Sequence, residues 1–204
     1  MLDVLIIGGG VSGVSCALVL GSAHKKPFVT EKNIGIVMHQ RASSLQNALF
    51  NNAYGLDAGT LGSDLLEKSI VQLEHNYPHI QQIHAEKVIA VEKSENGFEV
   101  KTNKNSYHTK IVVLAIGANQ PLGIEGLEDY VMPHQKMMPE KNKIQLKNND
   151  HLVEEGMYVA GTLSGSRSQL SIAAGSGAAV ATDILTLWNN GIHTQSHDSV
   201  PKIV

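Results

Sequence analysis

Apolar residues along this chain fall into short unbroken runs, alternating stretches and one-sided stripes, and each pattern predicts a different element. Val4, Leu5, Ile6 and Ile7 form a β-branched-rich run that suits a parallel strand buried on both faces. The run opens into Gly8, Gly10 and Gly13, and Val14 to Leu20 then predict a helix. Pro27 to Thr30 predict a second short strand ending in Glu31. From Asn33 to Gly62 no periodicity persists and small or polar residues dominate, which predicts loops with one short helix. Leu65, Leu66, Ile70 and Leu73 predict an amphipathic helix over Ser63 to Asn76, with Ser63 or Asp64 suited to its start. Alternation in Lys87 to Glu92, Phe98 to Thr102 and Ser106 to Thr109 predicts antiparallel strands with a turn at Glu95, Asn96 and Gly97.

Ile111 to Gly117 is another near-continuous apolar run and predicts a return to the parallel sheet. Ala118 to Asp150 is irregular, with Pro121, Pro133 and Pro139; Tyr130 to Met138 reads as an extended connector and Asn142 to Leu146 as a short strand. Met157 to Ala160 predict a strand ending in Gly161, and Gln169 to Trp188 a long helix whose Gly175, Gly177 and alanines suit close packing. The tail from Asn189 is polar and expected to be mobile. Together these elements predict an α/β fold, a parallel Rossmann-like sheet with helices plus a small antiparallel β-meander.

The chemistry concentrates at the first turn. Strand, Gly8-x-Gly10-x-x-Gly13 and helix in succession form a dinucleotide-binding fingerprint. Gly8 allows the tight turn, Gly10 lets the backbone approach a pyrophosphate, and Gly13 lets the helix pack on the strand. The phosphates then meet free N–H groups at a helix N-terminus. A glycine-rich turn with no ligand is the blander alternative, and the position of the motif between strand and helix argues against it. Glu31, at the predicted end of the second strand, is placed to accept hydrogen bonds from an adenosine ribose, and Lys32 beside it either approaches the adenine or is a solvated surface lysine.

Composition narrows the field. A length of 204 residues suits one well-buried core, and a net charge of −3 supplies no basic field for nucleic acid. The apolar runs read as too short to cross a bilayer, and the N-terminus lacks the charged region and cleavage site of a secretory signal, so no membrane partner and a cytoplasmic location are expected. The single cysteine, Cys16, lies in the first helix and reads as a packing residue. His75 and His79 have helical spacing, but Pro78 lies between them and no further ligand completes a site, so no metal is expected.

With the elements placed, the chain resembles the thioredoxin reductase-like FAD-dependent pyridine nucleotide-disulfide oxidoreductases, in their FAD-binding domain. The motifs that carry the resemblance are GGGVSG at 8–13 with Glu31, GTLGSDLLEKSI at 59–70, IVVLAIGA at 111–118, and GMYVAGT with SQLSIAAGSGAAVA within 156–181. The resemblance implies FAD as cofactor. It also implies that Gly8, Gly10, Val11, Ser12 and Gly13 hold the pyrophosphate, Glu31 the ribose, and the backbone of Val88 the adenine. Asn52 would approach the flavin, Gly117 and Gly161 would end the strands beside it, and Gln169 with Leu170 at the helix start would face the flavin pyrimidine. There the helix dipole can stabilise negative charge on reduced flavin.

Three departures from the family pattern shape the functional expectation. The NADPH-binding domain, normally inserted between the last two parallel strands, is replaced by residues 118–156, which hold no second glycine fingerprint, so 1–192 reads as a single FAD-binding domain followed by a polar tail at 193–204. The redox-active C-x-x-C is absent. Thr162 stands where the family's ribityl-binding acid would be, and Ser168-Gln169 where it has Arg-Gln. The expected function is an FAD-dependent oxidoreductase that uses its flavin directly on a small-molecule substrate or redox partner protein, with His39 and His134 as candidate proton donors and Tyr54 as a further polar group near the ring. The alternative is a non-catalytic FAD-binding module or a subunit of a larger redox complex, and the third reading is that Thr162 and the altered loop abolish FAD binding. Surface uncovered by the missing domain makes a homodimer an expected assembly.

Overall fold

β1 (Leu2–Ile7) is buried from Asp3 onward, and its alternate residues feed two different layers. Val4 and Ile6 belong to a core cluster shared with the helices, whereas Leu5 and Ile7 face a second cluster built with the meander. This computed structural model describes residues 1–41 and 43–197. α1 (Val11–Ser22) follows the glycine turn, and β2 (Ile34–Val37) pairs in parallel with β1. A 3-10 turn at Ser44–Asn47 leads to the small hairpin of β3 (Leu49–Phe50) and β4 (Thr60–Leu61). Then come α2 (Gly62–Asn76), β5 (Ile80–Ile83), β6 (Val88–Ser94), β7 (Gly97–Thr102) and β8 (Ser106–Leu114). β9 (Val131–Pro133) and β10 (Ile144–Leu146) form a separate hairpin, and β11 (Leu152–Glu154) and β12 (Met157–Val159) return to the sheet before α3 (Leu170–Trp188).

The main sheet runs β11-β12-β8-β1-β2-β5, with all neighbours parallel except the β11 edge. β8 does two jobs. Its first half pairs antiparallel with β7 in the meander, and its second half, Ile111 to Leu114, pairs parallel with β1, so the two predicted strands are one. Helices therefore cover one face of the sheet and the meander the other.

Several expectations are corrected. Pro27 to Thr30 form turns, and the second strand is Ile34–Val37, inside the segment expected to be loops. β5 and β11 carried too few apolar residues for their strands to stand out. Within the tail expected to be mobile two residues are held: Thr194 is buried, with hydrogen bonds to the side chains of Asn189 and Thr186, and the Ser22 hydroxyl donates to Ser196, while Ile192, His193, Gln195 and His197 are exposed. The end of the tail, 198–204, lies outside the described residues. α3 is long and apolar enough, by length and a mean hydropathy of 1.5, to cross a membrane, contrary to the expectation that no run would be. Here its buried residues Ser176, Gly177, Val180, Ala181, Ile184 and Leu185 line the core, and its main contact is α1.

α1 and α3 meet backbone to backbone. A Cβ on Gly177 would collide with the carbonyl oxygen of Ser12, whereas Gly175 faces open space. The expected packing role thus belongs to Gly177 alone. At the opposite end of the sheet Asp3 accepts from the Asn33 N–H and the Lys110 ammonium, each at 2.9 Å. Burial works against its charge, but these partners prevail and hold the Asp3 carboxyl below its usual value. Burial pushes the Cys16 thiol far up, as befits a packing residue. His79 lies beyond the end of α2, its ring stacked on His24 at 4.0 Å.

Two predictions follow from this packing. Gly177→Ala lowers folding stability by about 1–3 kcal/mol because backbone must move, while Gly175→Ala raises it by about 0.5–1 kcal/mol through helix propensity; thermal melting of both variants checks the pair. Because the folded Asp3 carboxyl ionises below its unfolded value, its stabilisation is complete above the unfolded pKa of about 3.9 and is lost as pH falls through the folded value. Urea midpoints of the wild type and Asp3→Asn therefore differ most above about pH 5 and converge toward pH 2.

Candidate dinucleotide and flavin site

The C-terminal ends of β1, β2, β8 and β12 all point the same way, which is where open α/β sheets bind ligands. β1 ends in Gly8, whose φ of +122° is open to glycine and whose Cβ, if present, would lie 2.5 Å from the Ala115 carbonyl oxygen at the end of β8. Gly13 sits against the Gly8 carbonyl in the same way. The chain can therefore leave β1 and enter α1 in one tight turn only with glycine at these places. Gly10 is the N-cap of α1, and no side chain caps the helix. Among the described residues nothing accepts from the N–H groups of Val11, Ser12 and Gly13, and the first turn holds no acidic residue. That end is a site for an anion.

A second open helix end follows the last parallel strand. β12 runs through Ala160 into the 3-10 turn Gly161–Ser164, and α3 starts after its N-cap, Gln169, again with no side-chain cap and no acid in its first turn. Gly161 has φ +73°, and a Cβ there would lie 2.7 Å from the Ser12 hydroxyl oxygen. Its N–H donates to Ser176 Oγ at 2.8 Å. Ser12, Gly161, Ser176 and Gly177 thus join the start of α1, the strand-end turn and the body of α3 into one node, about two turns along α3 from its own start. Gly8, Gly10, Val11, Ser12, Gly13, Gly161, Thr162, Gln169 and Leu170 all lie around it, and Gly117 is exposed just past the end of β8.

Other predicted residues fall elsewhere. Glu31 and Lys32 precede β2, at the end of the sheet away from the glycine turn; Lys32 lies 3.9 Å from Asp3 and over the Trp188 ring. Glu31 therefore cannot serve the ribose as expected. The residue that follows β2 at the ligand end is Met38, 5% exposed and packed on Gly9. Gln40, two residues on, donates to the Gly9 carbonyl at 2.9 Å and to Ser69 Oγ at 3.2 Å, tying the glycine turn to α2. Both were missed because Gly35 interrupts the apolar run of β2; reading IGIV as a strand would have put its tip at Met38.

Asn52 is exposed in the loop of the β3–β4 hairpin, where its neighbour Asn51 accepts from the Gly59 N–H, and Tyr54 in the same loop is fully exposed. Val88 starts β6, buried in the cluster that also holds Val37 and Ile83. His39 is half-buried just past β2. His134 is buried and both its ring nitrogens bond to backbone, which leaves it no proton to exchange with a substrate. Two surface depressions, along the outer face of α2 at Glu67 to Asn76 and at the strand starts near Met1 and Asn33, do not touch the glycine turn.

A tight glycine turn on a parallel sheet, with two uncapped helix starts at its C-terminal edge, is the architecture of a Rossmann-like fold. Sequence comparison specifies the family. The profile of the pyridine nucleotide-disulphide oxidoreductases matches residues 2–164, and the chain belongs to that family. It is 24% identical over 177 residues to "Uncharacterized oxidoreductase CzcO" of Bacillus velezensis, covering 79% of this chain and 48% of that one. It is 28% identical over 145 residues to a ferredoxin–NADP reductase of Streptococcus pneumoniae, covering 66% and 42%. The chain spans less than half the length of these curated relatives. Among solved structures, a thioredoxin reductase from Gloeobacter violaceus shares the fold with a TM-score of 0.71 at 15% identity, over 97% of this chain and 98% of the other. A ferredoxin-flavin thioredoxin reductase from Clostridium acetobutylicum does so with a TM-score of 0.67 at 16% identity, over 92% and 98%.

FAD is the cofactor of this family, and the residues present fit it: a cradle that a Cβ at Gly8 or Gly161 would fill, and two helix ends lacking any partner for their N–H groups among the described residues. The β2 tip carries Met38 and not the acid, which was expected at Glu31, and Thr162 stands where the resemblance implied a carboxylate. Glu31→Gln consequently leaves FAD affinity unchanged, whereas Gly161→Ala, strained at its φ and crowded by Ser12, weakens it about tenfold or more; quenching of flavin fluorescence on titration distinguishes the two.

Proposed function

We propose that this chain is an FAD-dependent oxidoreductase that uses its flavin directly for electron or hydride transfer, without a redox dithiol of its own. The observation that supports the reading is the node at Ser12, Gly161, Ser176 and Gly177, which fixes the open start of α1 against the strand-end turn and the body of α3, with the open start of α3 about two turns along that helix. In this reading the N–H groups of Val11, Ser12 and Gly13 bind the pyrophosphate. The Thr162 hydroxyl takes the ribityl chain as a weaker partner than a carboxylate. The N–H groups at Leu170 and Ser171 set the positive end of α3 against the flavin pyrimidine and favour negative charge there. A bound flavin supplies the electron or hydride acceptor. The Cys16 thiol is buried and pushed up, which supports a mechanism without it.

Electrons would enter from a reduced nicotinamide, a small-molecule substrate or a redox partner protein. The names of the streptococcal relatives make NADPH and ferredoxin the first donors to try. Residues 1–192 would act as a single flavin domain, with the family's nicotinamide domain missing between about 118 and 156, in the cytoplasm and as a homodimer. A second reading, a non-catalytic FAD module or a subunit of a larger redox complex, is favoured by the same segment: residues 118–156 hold short strands and 3-10 turns and no glycine fingerprint. Anaerobic addition of NADPH or NADH to the FAD-loaded protein separates the two. The enzyme reading predicts prompt bleaching of the flavin absorbance at catalytic protein concentrations; a flavin that no nicotinamide, reduced ferredoxin or thiol bleaches supports the module.

A further inference from the structure

The β9–β10 hairpin reaches across to the strand-end turn Gly161–Ser164, and His134 makes the central contact. The residue is 6% exposed. Its own N–H donates to the Lys143 carbonyl at 2.9 Å, which seats it in the hairpin. Its Nδ1 accepts from the Lys136 N–H at 3.1 Å, so the ring proton lies on Nε2, which donates to the Thr162 carbonyl at 3.0 Å. The same carbonyl accepts from the Gly165 N–H at 3.0 Å. Around it, Asn148 Nδ2 donates to the Ser164 carbonyl at 3.1 Å, and the Gln145 side chain, held by the Gln135 N–H, stands against Gly165. From the other side, Ser176 holds the turn's first N–H. The turn is therefore gripped between α3 and the hairpin, and it lies directly against Ser12 in the first turn of α1.

We propose that His134 is a positioning residue for the cofactor: it holds the Thr162 turn in register between the two open helix starts, and the hairpin at 131–146 is the brace through which it acts. The role replaces that of proton donor, since neither ring nitrogen is free. A loose turn would cost the cofactor both the Thr162 hydroxyl and the spacing between the α1 and α3 N-termini. The proposal rests on the FAD reading given above, and its test is built so that either can fail alone.

The apoproteins of wild type, His134→Ala, His134→Gln and Lys143→Ala are compared by FAD titration, read as flavin fluorescence quenching and the visible spectrum of bound flavin, and by hydrogen exchange of the Gly165 amide. Gln carries an amide N–H₂ that can reach the Thr162 carbonyl; among the described residues Lys143 bonds through its ammonium only to exposed Asn119, and the carbonyl that His134 needs is kept. His134→Ala is expected to weaken FAD binding about tenfold and to speed exchange at Gly165, as the loss of a buried hydrogen bond requires. His134→Gln recovers most of both, and Lys143→Ala changes neither. Should the alanine protein not fold, His134→Asn, too short to reach Thr162, takes its place. The proposal is overturned if the shortened side chain leaves FAD affinity and Gly165 exchange as in wild type, or if Gln restores nothing. A wild type that binds no FAD, but whose Gly165 exchange still responds to His134, overturns the cofactor reading and leaves the brace standing.

Discussion

Where α1 crosses α3, the Ser12 carbonyl oxygen occupies the place a Cβ on residue 177 would need, and the two helices can approach no closer. Ser176, the neighbouring residue on α3, takes the Gly161 N–H, and Gly161 in turn lies against the Ser12 hydroxyl. Three chain segments are thus locked by backbone contacts, with glycine wherever a side chain would intervene. Rigid helices propagate that lock to their first turns, so the positions of the free N–H groups are set by packing in the core. The rest of the ligand end, from the glycine turn on β1 to the Thr162 turn on β12, is registered to this crossing.

The crossing has an electrostatic consequence. Each helix start carries roughly half a positive charge, and neither has an acidic residue in its first turn to balance it. Each end separately favours negative charge near it, and the two lie about two helical turns apart along α3. Met38 at the β2 tip and Thr162 after β12 act in the same direction: both are uncharged, so less negative charge faces a bound pyrophosphate. The sugar hydroxyls lose acceptors at the same time. Affinity would then rest more on phosphate and pyrimidine contacts, and less on the ribose and ribityl chain.

What could be read without coordinates was whatever local chemistry determines alone. The strand, glycine turn and helix at 4–20, the α2 stripe, the meander and the long α3 follow from apolar spacing and turn residues, and all formed close to their expected bounds. β2 did not, because its burial comes from neighbours on both sides while Gly35 and the polar flank at 31–33 mask its pattern. One misplaced strand moved the expected ribose acceptor from the β2 tip to the wrong end of the sheet. His134 was singled out for its chemistry but sits in the ladder and turn bonds of a hairpin that only tertiary contacts reveal.

In the proposed site one cradle engages both halves of FAD through both helix starts. Calorimetric titration of the apoprotein with FAD, FMN and ADP in parallel tests this most directly. One site per chain and an FAD affinity well above that of either fragment are expected, because of the three only FAD reaches both N-termini. ADP or FMN binding as tightly as FAD, or no binding of any of the three, would contradict it.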